Sequence, residues 1–541
     1  SDAADRWYAA LQADAALGRL SDYPDFHTYM ESSWGPGPAP FRAEQLVEFA
    51  KQGTLIEQLN AFEPTGSWRG QTKRALVDAL EEAIGIAPGI FVEAAPMFIG
   101  AARPYQYGLI NGLKQVWDAP RDRGHEVAWD QAWPALMSLF EKLLGNDEFW
   151  KEPVADDRDL TPTRNWLPSI IAEFLRAGTR DDEKSYDPDL LPRGWRLICV
   201  LLEKSEPADE LDKDAMTQAI NTEKGKAVEA LFSHALRTCR VADRIRNTSH
   251  GGAWALMKPV FDSELSNCRG TNFEFSTLAG AYLANIEYLN AAWLQSNFDK
   301  IFPVDFSDNF LCAMAGLAYA PATRSIFRLL ASHGVLDRAL TIDLRERSVR
   351  ERLLERIALA YLWGDEQLTS PRFAYIFKEN RFDDLQVMSD FYWSVSNQQL
   401  KPDQVSKILD FWRTCTDLIR NLHTKPAQFL SQLSRLSVYI NEVGAAETSL
   451  LEQVAPYVSA GYNADYFVEQ LLRLVKVNPG AISAVFAKML ETHEPTFDYE
   501  DRLKRLVREF AAHGLANQAI VFADRLRRIP GMREVYSELV Q

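Results

Sequence analysis

Three groups of residues in this chain have types and spacings that could do chemistry. The first is the basic series Arg237, Arg240, Arg244 and Arg246. Its first three members recur at three and four residues, so they share one face of a helix. Guanidinium groups there would meet a phosphate or an acidic protein surface. The competing reading pairs them with the acidic loop Glu203 to Asp214 of the same chain. The second group is Asn221-Thr222-Glu223-Lys224-Gly225-Lys226-Ala227-Val228-Glu229-Ala230-Leu231, whose lysines and glycine look like a phosphate cradle at first sight. A cradle needs the backbone of a strand-to-helix loop. This run is a helix instead, capped by Asn221 or Thr222, with Glu223 in its first turn and Ala227, Val228, Ala230, Leu231 and Leu236 as its apolar side. Gly225 inside it costs about 1 kcal/mol relative to alanine, so a neighbouring backbone is expected to approach closely there. Asn221, Thr222, Lys224, Gly225, Lys226 and Glu229 therefore read as a structural motif, a packing junction between two helical arms. Arg237, Arg240 and Arg244 read as possible partner-binding residues. The third group, His250-Gly251-Gly252-Ala253-Trp254, is similar to the oxyanion loop of esterases. No Gly-x-Ser-x-Gly elbow accompanies it, so a flexible glycine linker is expected.

Other chemistry is thinly represented. There is no Walker lysine loop, dinucleotide glycine fingerprint or His-Glu-x-x-His helix, and no two of the eight histidines stand three or four residues apart. His234 reads as a partly exposed helical histidine. Adjacent carboxylates such as Glu81-Glu82, Asp181-Asp182 and Asp383-Asp384 point apart on a helix. Five cysteines without a CxxC pair indicate neither a disulfide framework nor a zinc ribbon and fit a reducing cytoplasm. The expectation is a chain with no catalytic, cofactor or metal residues, and not an enzyme.

The elements that carry these residues are helices. Nearly every segment repeats its apolar residues at three and four, and almost none alternates with period two. A first helix is expected around Trp7, Leu11 and Leu17, ending at Asp22-Tyr23-Pro24. Later helices follow one another through short Gly and Pro breaks. Connections that short make neighbours pack antiparallel, each pair offering an apolar face to the next. The fold class is all-α, an extended α-solenoid of irregular helix pairs of the HEAT or TPR kind. Its expected parts are an N-terminal arm (1–205), a central segment with the Asn221 motif (206–305), a continuation (306–425) and C-terminal hairpins (426–541). Trp68, Trp117, Trp195, Trp293 and Trp363 are expected between repeats, while Trp34 and Trp150 lie in breaks, exposed or clamping a loop. The 47% hydrophobic composition supplies a core for 541 residues. A net charge of −16 disfavours a general nucleic-acid or anionic-membrane surface, and no run approaches the ~20 apolar residues of a membrane span.

A resemblance adds to this reading. Trp34-Gly35-Pro36-Gly37-Pro38, Phe62-Glu63-Pro64, Pro104-Tyr105 leading into Leu109-Ile110-Asn111-Gly112-Leu113, Trp129, the Asn221 to Leu231 run and Phe302-Pro303 follow one another in a familiar order. The pattern resembles the C-terminal helical region of large bacterial antiphage proteins. In that group a sirtuin-like, nuclease or other toxic effector, and often a STAND-type NTPase, precedes a helical-repeat sensor. The likeness covers about residues 30 to 420. Lys224 stands where the family has arginine and Val228 where it has leucine, and Asn247 to Gly252 is an insertion. None of these positions is catalytic in the family. The resemblance implies a non-enzymatic sensing arm that recognises a phage protein and relays binding to effector or NTPase domains of the same longer polypeptide. The absence of an initiating methionine before Ser1-Asp2-Ala3-Ala4 fits such a fragment. The alternative is a constitutive oligomerisation scaffold that senses nothing.

Overall fold

The computed structural model describes residues 37–64, 70–120, 127–153, 161–245, 247–378 and 380–541, with a few positions among the first ten. The expected first helix and its stop, together with Trp34, Trp68 and Arg246, lie outside the described residues. Among the described residues there are 28 α-helices and no strand, so the fold is all-α as the periodicity requires.

The apolar spacing and the Gly and Pro breaks predict helices over 55–61, 129–144, 166–177 and 532–540, and the helices Leu55–Ala61, Trp129–Leu144, Trp166–Ala177 and Met532–Val540 have those limits. Trp166–Ala177 shows why. Leu167, Ile170, Ile171, Phe174 and Leu175 recur on one side and are buried, and the helix stops at Gly178. Two further seven-residue helices, Ala215–Asn221 and Val335–Thr341, repeat their apolar residues over a single step of four. The glycines of the expected linker are also helical: Gly251 and Gly252 open the helix Gly251–Ser266. Trp254 donates its backbone N–H to His250 O at 2.8 Å and buries its ring, which fixes that first turn.

Contacts divide the chain into two compact units, residues 1–206 with 226–246, and residues 207–225 with 247–541. In the first, Ala43–Gln52 packs on Lys73–Ile86, which packs on Arg103–Asp118, which packs on Trp166–Ala177. Trp117 meets Trp129 and Trp133 edge-on at 4.9 and 5.2 Å, while Trp133 lies against Phe174 and Tyr186. Trp150 clamps the turn after Trp129–Leu144 by donating its indole N–H to Leu144 O at 2.8 Å.

In the second unit the closest pair is Phe273–Ala281 against Ser307–Tyr319. A Cβ built on Gly280 would lie 2.9 Å from the Ala313 carbonyl carbon, and one on Gly316 2.7 Å from that of Thr277, so the two backbones touch where neither glycine has a side chain. Beyond this pair many helices pack on the next but one: Arg347–Trp363 on Phe382–Ser394, Phe382–Ser394 on Ala427–Leu433, and Ala464–Leu474 on Arg502–Ala512. The last carbonyls of a helix lack intrahelical donors. Here arginines from later helices donate to carbonyls at or just beyond helix ends: Arg338 to Pro303 O at 3.0 Å, Arg356 to Leu317 O at 2.5 Å and also to Ala320 O, Arg473 to Ile440 O at 2.7 Å, and Arg525 to Leu490 O. The first carbonyl named for each donor lies 33 to 39 residues earlier in the chain. Trp293 is buried and Trp363 half-buried in this unit.

Candidate functional site

The central run is split by its own geometry. Asp214 caps the short helix Ala215–Asn221, its Oδ1 accepting the Thr217 N–H at 2.8 Å. Asn221 ends that helix exposed, and Thr222 starts the next, Glu223–Arg240, its Oγ1 accepting the Gly225 N–H at 3.1 Å. The close approach expected at Gly225 comes from this preceding helix: an added Cβ would overlap the Ala219 carbonyl oxygen and lie 2.7 Å from its carbon. Lys224 Nζ is buried and meets Glu264 Oε1 at 2.8 Å, and Asn272 Nδ2 donates to the other oxygen at 2.8 Å. Asn272 takes the left-handed conformation (φ 52°) with its side chain buried. The motif's other two charges face the helix Trp166–Ala177. Lys226 Nζ lies 2.7 Å from Glu173, and Glu229, whose carboxyl burial pushes up, accepts Arg176 at 3.0 Å. Every charged member of the motif that this reading singled out is thus committed to an internal ion pair.

Further along the same helix the arginines do converge. Arg237 Nη1 and Arg240 Nε reach Asp182 Oδ1 at 2.7 and 2.8 Å, and Arg244 Nη1 reaches Oδ2 at 2.8 Å. Their carboxylate is Asp182, in the connection after Gly178, and not the Glu203–Asp214 loop. Burial raises the Asp182 carboxyl, but hydrogen bonds and charge from Arg240 and Arg237 outweigh it and hold the group below the usual range. Arg244 sits in a π-helical turn, Val241–Ile245, that continues the helix. Arg237 is buried, whereas the Arg244 side chain is 70% exposed.

His234 is not partly exposed. It is buried against Trp195, ring centroids 5.7 Å apart, with Nδ1 3.3 Å from Tyr186 Oη, and burial lowers its pKa to about 3. A signal was available: 227, 230, 231 and 234 are one apolar face at helical spacing. Burial also pushes the thiols of Cys239, Cys268 and Cys312 up to about 12, so all three are protonated at neutral pH.

Two recesses in the second unit are large enough for a ligand. One, of ≈ 900 Å³, lies beside a break at Asn290 in the helix Leu283–Ile301 and is lined by Trp254, Trp293, Lys258 and Lys300. Asp262 in its wall is already engaged: Trp293 Nε1 donates to Oδ1 at 2.7 Å, and Lys258 Nζ meets Oδ2 at 2.6 Å. The other, of ≈ 1230 Å³, follows Arg347–Trp363 and Phe382–Ser394 as far as Gln428, and shares Glu355 and Phe391 with a smaller recess of ≈ 480 Å³ that reaches Tyr319. Together they cross four helices that pack in succession, Ser307–Tyr319, Arg347–Trp363, Phe382–Ser394 and Ala427–Leu433. Leu354, Val387, Phe391 and Tyr319 give this groove an apolar line, and Arg347, Arg352, Glu351 and Asp383 give it charges of both signs. Arg350 grips Asp384 with two bonds of 2.8 and 2.6 Å and so fastens two of the helices. Sequence reasoning missed the groove because its residues come from helices that nothing in the local pattern places side by side.

No family model, curated protein or solved structure matches this chain.

Proposed function

We propose that this chain is a non-enzymatic protein-binding array, an α-solenoid that receives an extended segment of another protein in the groove between Tyr319 and Gln428. The observation that carries the reading is the continuity of that groove across four successive helices. A wide recess with apolar and mixed-charge side chains suits a polypeptide better than a small molecule, which needs a deeper enclosure. The carbonyl-bonding arginines, each reaching a carbonyl 33 to 39 residues earlier, support the repeat architecture. The likeness to antiphage sensors makes a phage protein the first ligand to try, in the cytoplasm, with binding relayed to effector or NTPase domains outside this sequence. Among the described residues no single helix is long and apolar enough to cross a membrane.

The test is co-expression of the chain with a panel of phage structural and replication proteins. A complex is expected that Tyr319→Ala with Val387→Asp weakens at least ten-fold while melting is unchanged. No complex across the panel, or one indifferent to these substitutions, would remove the groove reading. The constitutive scaffold is the second reading, favoured by Ile86, Met97 and Ile99, which lie 43 to 47% exposed within one short stretch of the first unit. Stable self-association without ligand, abolished by Met97→Glu, would select it.

A further inference from the structure

Three guanidinium groups around one carboxylate leave positive charge and donors in excess. Arginine carries five N–H donors, roughly fifteen for the three, and among the described residues they make four bonds: three to Asp182 and one, from Arg240 Nη2, to Thr179 O at 3.4 Å. Arg237 Nε is buried with no partner among those residues. Asp182 already accepts three of their bonds, two at Oδ1 and one at Oδ2, and a carboxylate has only about four acceptor sites, so it cannot satisfy the remaining donors. On its own loop Arg180 and Lys184 offset Asp181 and Glu183 in number, and against Asp182 and Asp243, the latter beside Arg244 in the same turn, the three arginines leave an excess of one positive charge. The patch is open at its outer edge, where Arg244 is 70% exposed and the neighbouring Ile245 59% exposed.

The way Asp182 is held matters as much as what holds it. It lies between Gly178 and Tyr186, whose backbones meet through Tyr186 N to Gly178 O at 3.0 Å, so the loop is pinned at its base and not through Asp182 alone. Asp182 can leave the arginines without either flanking helix unwinding. We propose that Arg237, Arg240 and Arg244 form a recognition site for an acidic segment of a partner protein, occupied in cis by Asp182, which that segment displaces. A carboxylate of the partner takes over the bidentate-capable guanidinium faces, while Ile245 offers an apolar contact beside them. A long polyanion is disfavoured by the chain's net charge of −16. A short acidic segment is not, because beyond about 8 Å that field is screened at physiological ionic strength. Asp182 then acts as a competitor at very high local concentration. It lowers the apparent affinity by the fraction of time it occupies the site.

The probe is fluorescein-labelled hexaglutamate, titrated against the whole chain by fluorescence anisotropy at low salt. Asp182→Asn is expected to tighten binding at least ten-fold over the wild type. Arg244→Glu, at an exposed side chain, is expected to reverse that gain in the Asp182→Asn background, and circular dichroism with melting shows whether each variant is folded. Should Asp182→Asn lose its fold, Arg244→Glu in the wild-type background keeps the test, with at least a three-fold loss expected. Unchanged affinity in Asp182→Asn, indifference to Arg244→Glu, or equal gain for a single-stranded oligonucleotide would each overturn the proposal. Tyr319→Ala with Val387→Asp should leave hexaglutamate binding unaltered.

Discussion

The buried side chains of the central helix set two measurable energies. His234 is neutral in the fold, with its pKa lowered to about 3 by burial, and titrates near its ordinary value when the chain unfolds. Between those values the unfolded state holds one more proton, so stability rises with pH there. It is fully present above the unfolded value and lost progressively as pH falls from there to about 3. The slope predicts a loss of about 2 kcal/mol between pH 7.5 and pH 5. Urea denaturation of the wild type and of His234→Phe, which retains a ring against Trp195, should show that part of the pH slope removed. An identical slope would mean that His234 is not buried neutral. Lys224 and Glu264 give the second energy. Lys224→Met leaves a carboxylate buried without its cation and should cost about 3–5 kcal/mol, whereas adding Glu264→Leu should recover most of it. Equal losses in the single and double variants would contradict the pairing. Both side chains belonged to stretches already legible in the sequence, yet their partners, Tyr186, Trp195 and Glu264, stand 39 to 48 residues away and are set by tertiary packing alone. The arginine face was legible for the same reason that its carboxylate was not: three residues on one helix follow from periodicity, while Asp182 comes from a loop 55 to 62 residues earlier.

At the scale of elements, spacing located the long helices because ten or more residues display their apolar stripe several times. Ala215–Asn221 and Val335–Thr341 have less than two full turns' worth of repeat and are too short to stand out by period, whereas Leu55–Ala61, no longer, is set off by the Gly and Pro stops around it. The Gly251-Gly252 pair misled for a related reason, since glycine signals a break by propensity, and the packing of Trp254 overrides it. Glycines therefore divide into two kinds here, with opposite predicted outcomes. Gly225→Leu drives a side chain into the Ala219 carbonyl, and Gly316→Ala drives a methyl into that of Thr277. Each should lower stability by about 3 kcal/mol or more. Gly252 has nothing within 4 Å of an added Cβ, and Gly252→Ala should raise stability by about 0.4–1 kcal/mol. Thermal melts of the three variants check the division, and an unchanged melt in Gly225→Leu would remove the close-approach account of the junction.

For the whole molecule, what sequence alone could say was the class of scaffold. All-α followed from the spacing of Leu, Ile, Phe and Trp, whereas the groove required knowing that Tyr319, Leu354, Val387 and Gln428 stand on consecutively packed helices. In the second unit the arginines that close helix ends reach back only 33 to 39 residues, and none of those four bonds ties one end of the unit to the other. Such short reach has a mechanical consequence. A chain pulled from its ends in an optical trap should yield link by link, each link freeing about 35 residues, or about 120 Å of contour length at ~3.4 Å per residue. A single rip releasing the whole unit would show long-range cooperativity that these bonds do not supply. Steps of that size would make the protein compliant under load, lengthening in increments and recoiling as each arginine finds its carbonyls again.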